Sequence, residues 1–99
     1  MQIPKKFMLG TLAYTVELKP TVGKGIWGRV WLDAGHIAIA THSQRKPRAV
    51  TGPKGIGCTF WHETVHAILY DMGNSLYKDE VFVQAVAARL AQICETAEV

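Results

Sequence analysis

The sequence predicts an α+β fold, a small antiparallel sheet of about three strands followed by two helices. Two observations carry this expectation. Period-two alternation and β-branched or aromatic runs occupy the first forty or so residues, whereas apolar residues recur at three- and four-residue spacing in the C-terminal half. Strands first and helices after them is the element order of an α+β arrangement.

The first strand is read over residues 11–18, where Leu12, Tyr14, Val16 and Leu18 alternate with Thr11, Ala13, Thr15 and Glu17. "KPTVGKG" follows as a loop carrying Pro20, Gly23 and Gly25, and "IWGRVWLD" resumes an apolar, aromatic run suited to a second strand. Asp33, Ala34 and Gly35 make a tight turn into "HIAIA", the third strand. Residues 43–57, "SQRKPRAVTGPKGIG", hold two prolines, three glycines and four basic side chains, a composition expected of a mobile loop. A helix is expected from about Ile56 to Met72, with Val65, Ile68, Leu69 and Met72 at helical spacing and Gly73-Asn74 as its terminator. The second helix is expected to start at Asp79, a good N-cap, and to carry Val83, Val86, Ala87, Leu90, Ile93 and Cys94 on one stripe.

A chain of 99 residues supports one modest core, so residues 1–99 are read as a single domain. The net charge of +3 permits an acidic partner without requiring one. Cys58 and Cys94 form neither a CxxC pair nor a dense disulfide framework, which fits a reducing cytoplasmic setting. The opening "MQIPKKFMLGTLAYTV" places lysines before an apolar run, yet Pro4 comes early, no small-residue cleavage site follows and the alternation is that of a strand, so it is not read as a signal peptide. No segment has the length and apolarity of a bilayer span.

The chemistry is concentrated in "TFWHETVHAILYD", residues 59–71. His62 and His66 stand four apart on the first predicted helix, so their rings leave the same face one turn apart and can meet one tetrahedral metal ion. Glu63, beside them in "HETVH", is placed to take a proton from a metal-activated water rather than to bind the metal. The competing reading is two core histidines and a surface glutamate brought together by chance; an apolar helix, where an unpaired ionisable group is costly to bury, favours the metal.

A third ligand is needed. The long HExxHxxGxxH form is excluded because Leu69 and Met72 occupy its glycine and third-histidine positions. Asp71, five residues after His66, points about 140° away around the helix. Asp79, Glu80, His36 and His42 remain. Glu80 borders the apolar stripe of the second helix, whereas Asp79 is better occupied in capping, so Glu80 is the preferred ligand; its alternative role is a solvated first-turn carboxylate favoured by the helix dipole. Placing Glu80 on the ion requires residues 73–79, "GNSLYKD", to lead the chain back toward His66.

"FWHETVHAILYDMG" followed by "DEVFVQAVAARLAQ" resembles the minimal zinc metallopeptidase-like proteins encoded by phages and prophages, relatives of the ImmA/IrrE-type domain among the HExxH zincins. The resemblance covers about Cys58 to Gln92, and its interval between His66 and Glu80 is short. It implies a zinc site completed by the leading glutamate of the second helix, Glu80 here, and an extended peptide lying along a sheet-edge strand before the active-site helix, expected to be "HIAIATH" with His36 and His42 at its ends. Tyr14, Tyr70 and Tyr77 are candidate oxyanion partners.

The expected function is therefore a zinc-dependent metallopeptidase of a phage or prophage, working in the bacterial cytoplasm on a peptide or protein substrate, with Glu63 catalytic and His62, His66 and Glu80 as metal ligands. The alternative is a catalytically inactive, zinc-stabilised protein that grips a host protein. A nucleic-acid role for "QRKPRAVTGPKG" has only clustered basic residues in its favour, with no accompanying binding motif.

Overall fold

The structure, a computed structural model, describes residues 2–44 and 49–99. Its strands are β1 (Lys6–Leu9), β2 (Leu12–Lys19), β3 (Gly28–Trp31) and β4 (His36–Ala40); its helices are α1 (Pro53–Asp71) and α2 (Glu80–Thr96), joined by a 3-10 turn at Ser75–Lys78. Among the described residues the strands form one four-stranded sheet in the order β1-β2-β4-β3. The α+β class and the order of sheet then two helices are as the sequence predicts.

The sheet is mixed rather than antiparallel. β1 pairs antiparallel with β2 and β3 with β4, but β2 and β4 run parallel, with Val16 opposite Ile37 and Leu18 opposite Ile39. The side chains explain why β4 takes the interior position. Ile37, Ala38, Ile39 and Ala40 are all buried, a continuous apolar run of the kind a strand flanked on both sides needs, whereas β3 alternates half-buried and exposed residues and suits an edge. The strand expected to be an edge is thus central, and β3 is the edge. β1, absent from the expectation, is a four-residue strand whose Phe7 and Leu9 turn inward while Lys6 and Met8 are exposed.

α1 begins earlier than its apolar periodicity suggests. Gly52 is the N-cap and Pro53 opens the first turn, where its fixed φ and missing N–H cost nothing, so residues 53–57 belong to the helix rather than to a loop. The ends of the preceding segment are tied by a bridge between His42 and Val50 and by Ser43 N–H donating to Ala49. Arg45, Lys46 and Arg48, which carry most of the expected basic loop, lie outside the described residues.

α1 is packed on two sides. Phe60 and Ala67 join Tyr14, Ile37 and Ile39 in a core against the sheet, while Val65 and Leu69 meet Val83 and Ala87 of α2 in a second cluster. Val86 and Leu90 extend that second cluster, but Ile93 and Cys94, expected on the same stripe, are exposed; there α2 turns Ala91, Gln92, Glu95 and Thr96 toward the start of α1, across a cavity shared with Pro53 and Trp61. Sheet, α1 and α2 therefore form successive layers. Among the described residues no helix is long and apolar enough to cross a membrane.

Candidate metal centre

The link from α1 to α2 determines what can meet the HETVH face. α1 ends in a Schellman motif: Gly73 N–H donates to Tyr70 C=O at 3.0 Å and Asn74 N–H to Leu69 C=O at 2.9 Å, with Gly73 at φ 69°, a conformation glycine adopts without steric cost. Asn74 Oδ1 then accepts from Leu76 N–H, starting the 3-10 turn, and Asp79 Oδ1 accepts from Phe82 N–H at 3.0 Å as the N-cap of α2. Three caps in eight residues turn the chain back over α1, and Glu80, the first residue of α2, arrives above both histidines.

The resulting cluster is tight. Glu80 Oε2 lies 2.9 Å from His62 Nε2 and Glu80 Oε1 lies 3.1 Å from His66 Nε2, and the two imidazole centroids are 5.0 Å apart. Among the described residues, His62, His66 and Glu80 are the group whose donor atoms, all within 4.8 Å of one another, can hold a metal ion. Their other ring nitrogens are engaged: His66 Nδ1 donates to Tyr77 C=O at 2.6 Å and His62 Nδ1 to Gln84 Oε1 at 2.7 Å. Carbonyl oxygens only accept, so each Nδ1 carries a hydrogen, and in the neutral imidazole each Nε2 then presents a lone pair. Two lone pairs and a carboxylate facing one another at about hydrogen-bond distance repel unless a metal ion, or a proton on each Nε2, lies between them. The residues therefore fit a divalent metal of borderline softness such as zinc, with Nδ1 hydrogen bonds of the kind that orient metal-ligating histidines.

Glu63 lies one residue from the first ligand and is only 8% exposed. Burial pushes its carboxyl above the ordinary carboxylate range, against the opposing pull of His62 and His66. Glu63 and His62 line a cleft of about 430 Å³ with Trp27, Gly28, Thr59 and Gln84. Gly28 is where edge strand β3 touches α1: a Cβ there would stand 2.5 Å from Thr59 Cγ2 and 3.1 Å from Glu63 Oε2. One wall of the cleft is thus a strand edge, and another is the HETVH helix.

The other candidates lie elsewhere. His36 Nδ1 is 2.8 Å from Thr15 Oγ1, its ring rests on Trp31, and it stands on the sheet face opposite Ile37 and Ile39. His42 Nδ1 is 3.0 Å from Thr41 Oγ1. Neither belongs to the metal-competent group. Asp79 caps α2, and the Asp71 carboxylate sits against the β1–β2 turn, within 3.0 Å of where a Gly10 Cβ would be. Tyr14 is buried with its hydroxyl donating to Leu32 C=O, and Tyr70 donates to Asp33, an interaction that raises the Tyr70 phenol's pKa. Tyr77 is held through its backbone carbonyl by His66, with its ring against Tyr70. Gln84 escaped the sequence reading; its position four residues after Glu80, on the same helical face, is the signal that could have found it. No protein-family model, curated protein or solved structure matches this chain.

Proposed function

We propose that the chain is a zinc-dependent metallopeptidase. The observation that carries this reading is the meeting of His62, His66 and Glu80 through Nε2 and carboxylate atoms while both Nδ1–H groups are engaged elsewhere. A zinc ion there would supply Lewis-acid activation of the attacking water and of the scissile carbonyl. Glu63 serves as general base, taking the water's proton and passing it to the departing amine; a carboxyl raised in pKa by burial is suited to both steps. Glu80, with 68% of its side chain open to solvent, leaves the cluster accessible to solvent, and His62 borders the cleft.

The correction to the strand order moves the proposed substrate path. β4 is paired on both sides, so an extended peptide is assigned instead to the free edge of β3, where backbone groups beside Trp27 and Gly28 add it as a further strand. That mode grips main chain more than side chains and suits a peptide or unfolded segment. The reading places the protein in the cytoplasm of a bacterial host, encoded by a phage or prophage.

The test combines composition and turnover. Zinc-loaded protein is expected to hold one zinc per chain and to cleave members of a fluorogenic peptide library, whereas Glu63→Gln holds the zinc and cleaves none. Wild type that takes up no zinc, or a Glu63→Gln variant that cleaves as wild type does, overturns the proposal. Zinc uptake with no cleavage by either protein replaces it with a zinc-stabilised binding protein.

A further inference from the structure

α2 brings two groups to the cluster. Glu80 opens the helix, and Gln84, one turn on, presents Oε1 to His62 Nδ1 at 2.7 Å. We infer that Gln84 is a positioning residue for metal binding, holding the His62 ring with its Nε2 lone pair turned toward Glu80 and His66. The inference rests on the reading of that cluster as a metal site.

The two histidines need different devices to reach the same state. The His66 side chain is 12% exposed and its Nδ1–H is held by a backbone carbonyl, which the 3-10 turn fixes in place. The His62 side chain is 22% exposed and sits at the cleft end of the cluster, where its ring could rotate about χ2 and present either nitrogen. An acceptor on Nδ1 removes that freedom: it selects the Nδ1–H tautomer and fixes the ring plane at once. Gln84 is exposed, so its side chain is not there to fill the core, and ordering it costs rotamer entropy that the hydrogen bond must offset.

The acceptor is also neutral. With two imidazoles and one carboxylate, a divalent ion would leave the site with net charge near +1, and an amide acceptor keeps it there. A carboxylate at position 84 would keep the hydrogen bond, strengthen it through its charge and draw the site toward neutrality. Gln84→Glu and Gln84→Met therefore separate the acceptor from mere bulk, since methionine matches the length and has no comparable acceptor.

The experiment measures zinc affinity by competition with a chromophoric chelator, together with the visible spectrum of the cobalt-substituted protein and the melting temperature of the metal-free protein. Gln84→Met is expected to bind zinc at least about tenfold more weakly than wild type, to give an altered cobalt spectrum and to melt unchanged without metal. Gln84→Glu is expected to match or exceed wild-type affinity. Equal affinity in Gln84→Met and wild type, or equal weakening in both variants, overturns the inference while leaving the metal site standing. Wild type that binds no zinc overturns the site and the inference together.

Discussion

Glu63 is the residue whose two roles pull in opposite directions. A carboxylate at 8% exposure destabilises the metal-free fold because its charge has lost most of its water, yet the proposed chemistry needs that charge beside the ligands. Glu63→Gln is therefore expected to stabilise the metal-free protein by about 1–2 kcal/mol at neutral pH while removing peptide cleavage. Chemical denaturation of the two metal-free proteins checks this, and a variant less stable than wild type would show that the carboxylate is compensated in place. Glu80 and Asp79, adjacent in sequence, separate just as sharply. Glu80→Gln is expected to weaken zinc binding by at least about tenfold, since an amide oxygen carries no charge to offset the ion. Asp79→Asn keeps a capping side chain and loses only charge at the helix start, at most about 1 kcal/mol, with zinc affinity unchanged. Equal zinc affinity for wild type and Glu80→Gln would remove Glu80 from the ligand set. At this scale the HETVH spacing was legible because it follows from helical periodicity, whereas the approach of Glu80 depends on the 73–79 link, which the sequence marks only through Gly73, Asn74 and Asp79. The Gln84 amide and the Tyr77 carbonyl were not legible, because their contacts depend on how α2 docks on α1.

The elements were legible to differing depth, and packing decides which. α1 and α2 show a long 3.6-residue period and recognisable stops, Gly73 and Asp79, so their existence and order could be read directly. Strand partners are set by non-local pairing, and nothing within "HIAIA" states that β2 runs parallel to it; only the continuous burial of Ile37 through Ala40 marks it as interior. β1 was missed because four residues are too few for alternation to stand out. The contact that most directly links sheet to site is the approach of β3 to α1 at Gly28. Gly28→Ala would bring a methyl group into Thr59 and against Glu63, and the two helix-borne side chains cannot both retreat without moving β3. The expected cost is about 1–3 kcal/mol of stability, with cleavage reduced and zinc affinity retained, because the displaced group is the base and not a ligand. Unfolding midpoints, zinc titration and peptide turnover on one preparation check the three parts, and an unchanged midpoint would mean that β3 shifts freely.

In the whole molecule, α2 is joined to the rest chiefly through α1. Val83 and Ala87 are its buried residues, set against Val65 and Leu69, while the sheet packs on the other side of α1 through Phe60 and Ala67. Val86 and Leu90 add partly buried contacts to these two, so α2 depends on a single apolar stripe, and a chain of this size has little core to spare. A metal ion held by two α1 histidines and the first residue of α2 would act as a clip across the α1–α2 interface. Binding that occurs only in the folded state stabilises it by about 4 kcal/mol when free zinc is a thousandfold above its dissociation constant. Removing zinc with a chelator is therefore expected to lower the melting temperature by several degrees and to lower amide-exchange protection in α2 more than in β2 and β4, which keep their own core. His62→Ala, which lacks a ligand, should melt at the same temperature with and without added zinc. A melting temperature for wild type that ignores the chelator, or protection lost evenly across sheet and helices, would mean that α2 is held by its apolar contacts alone.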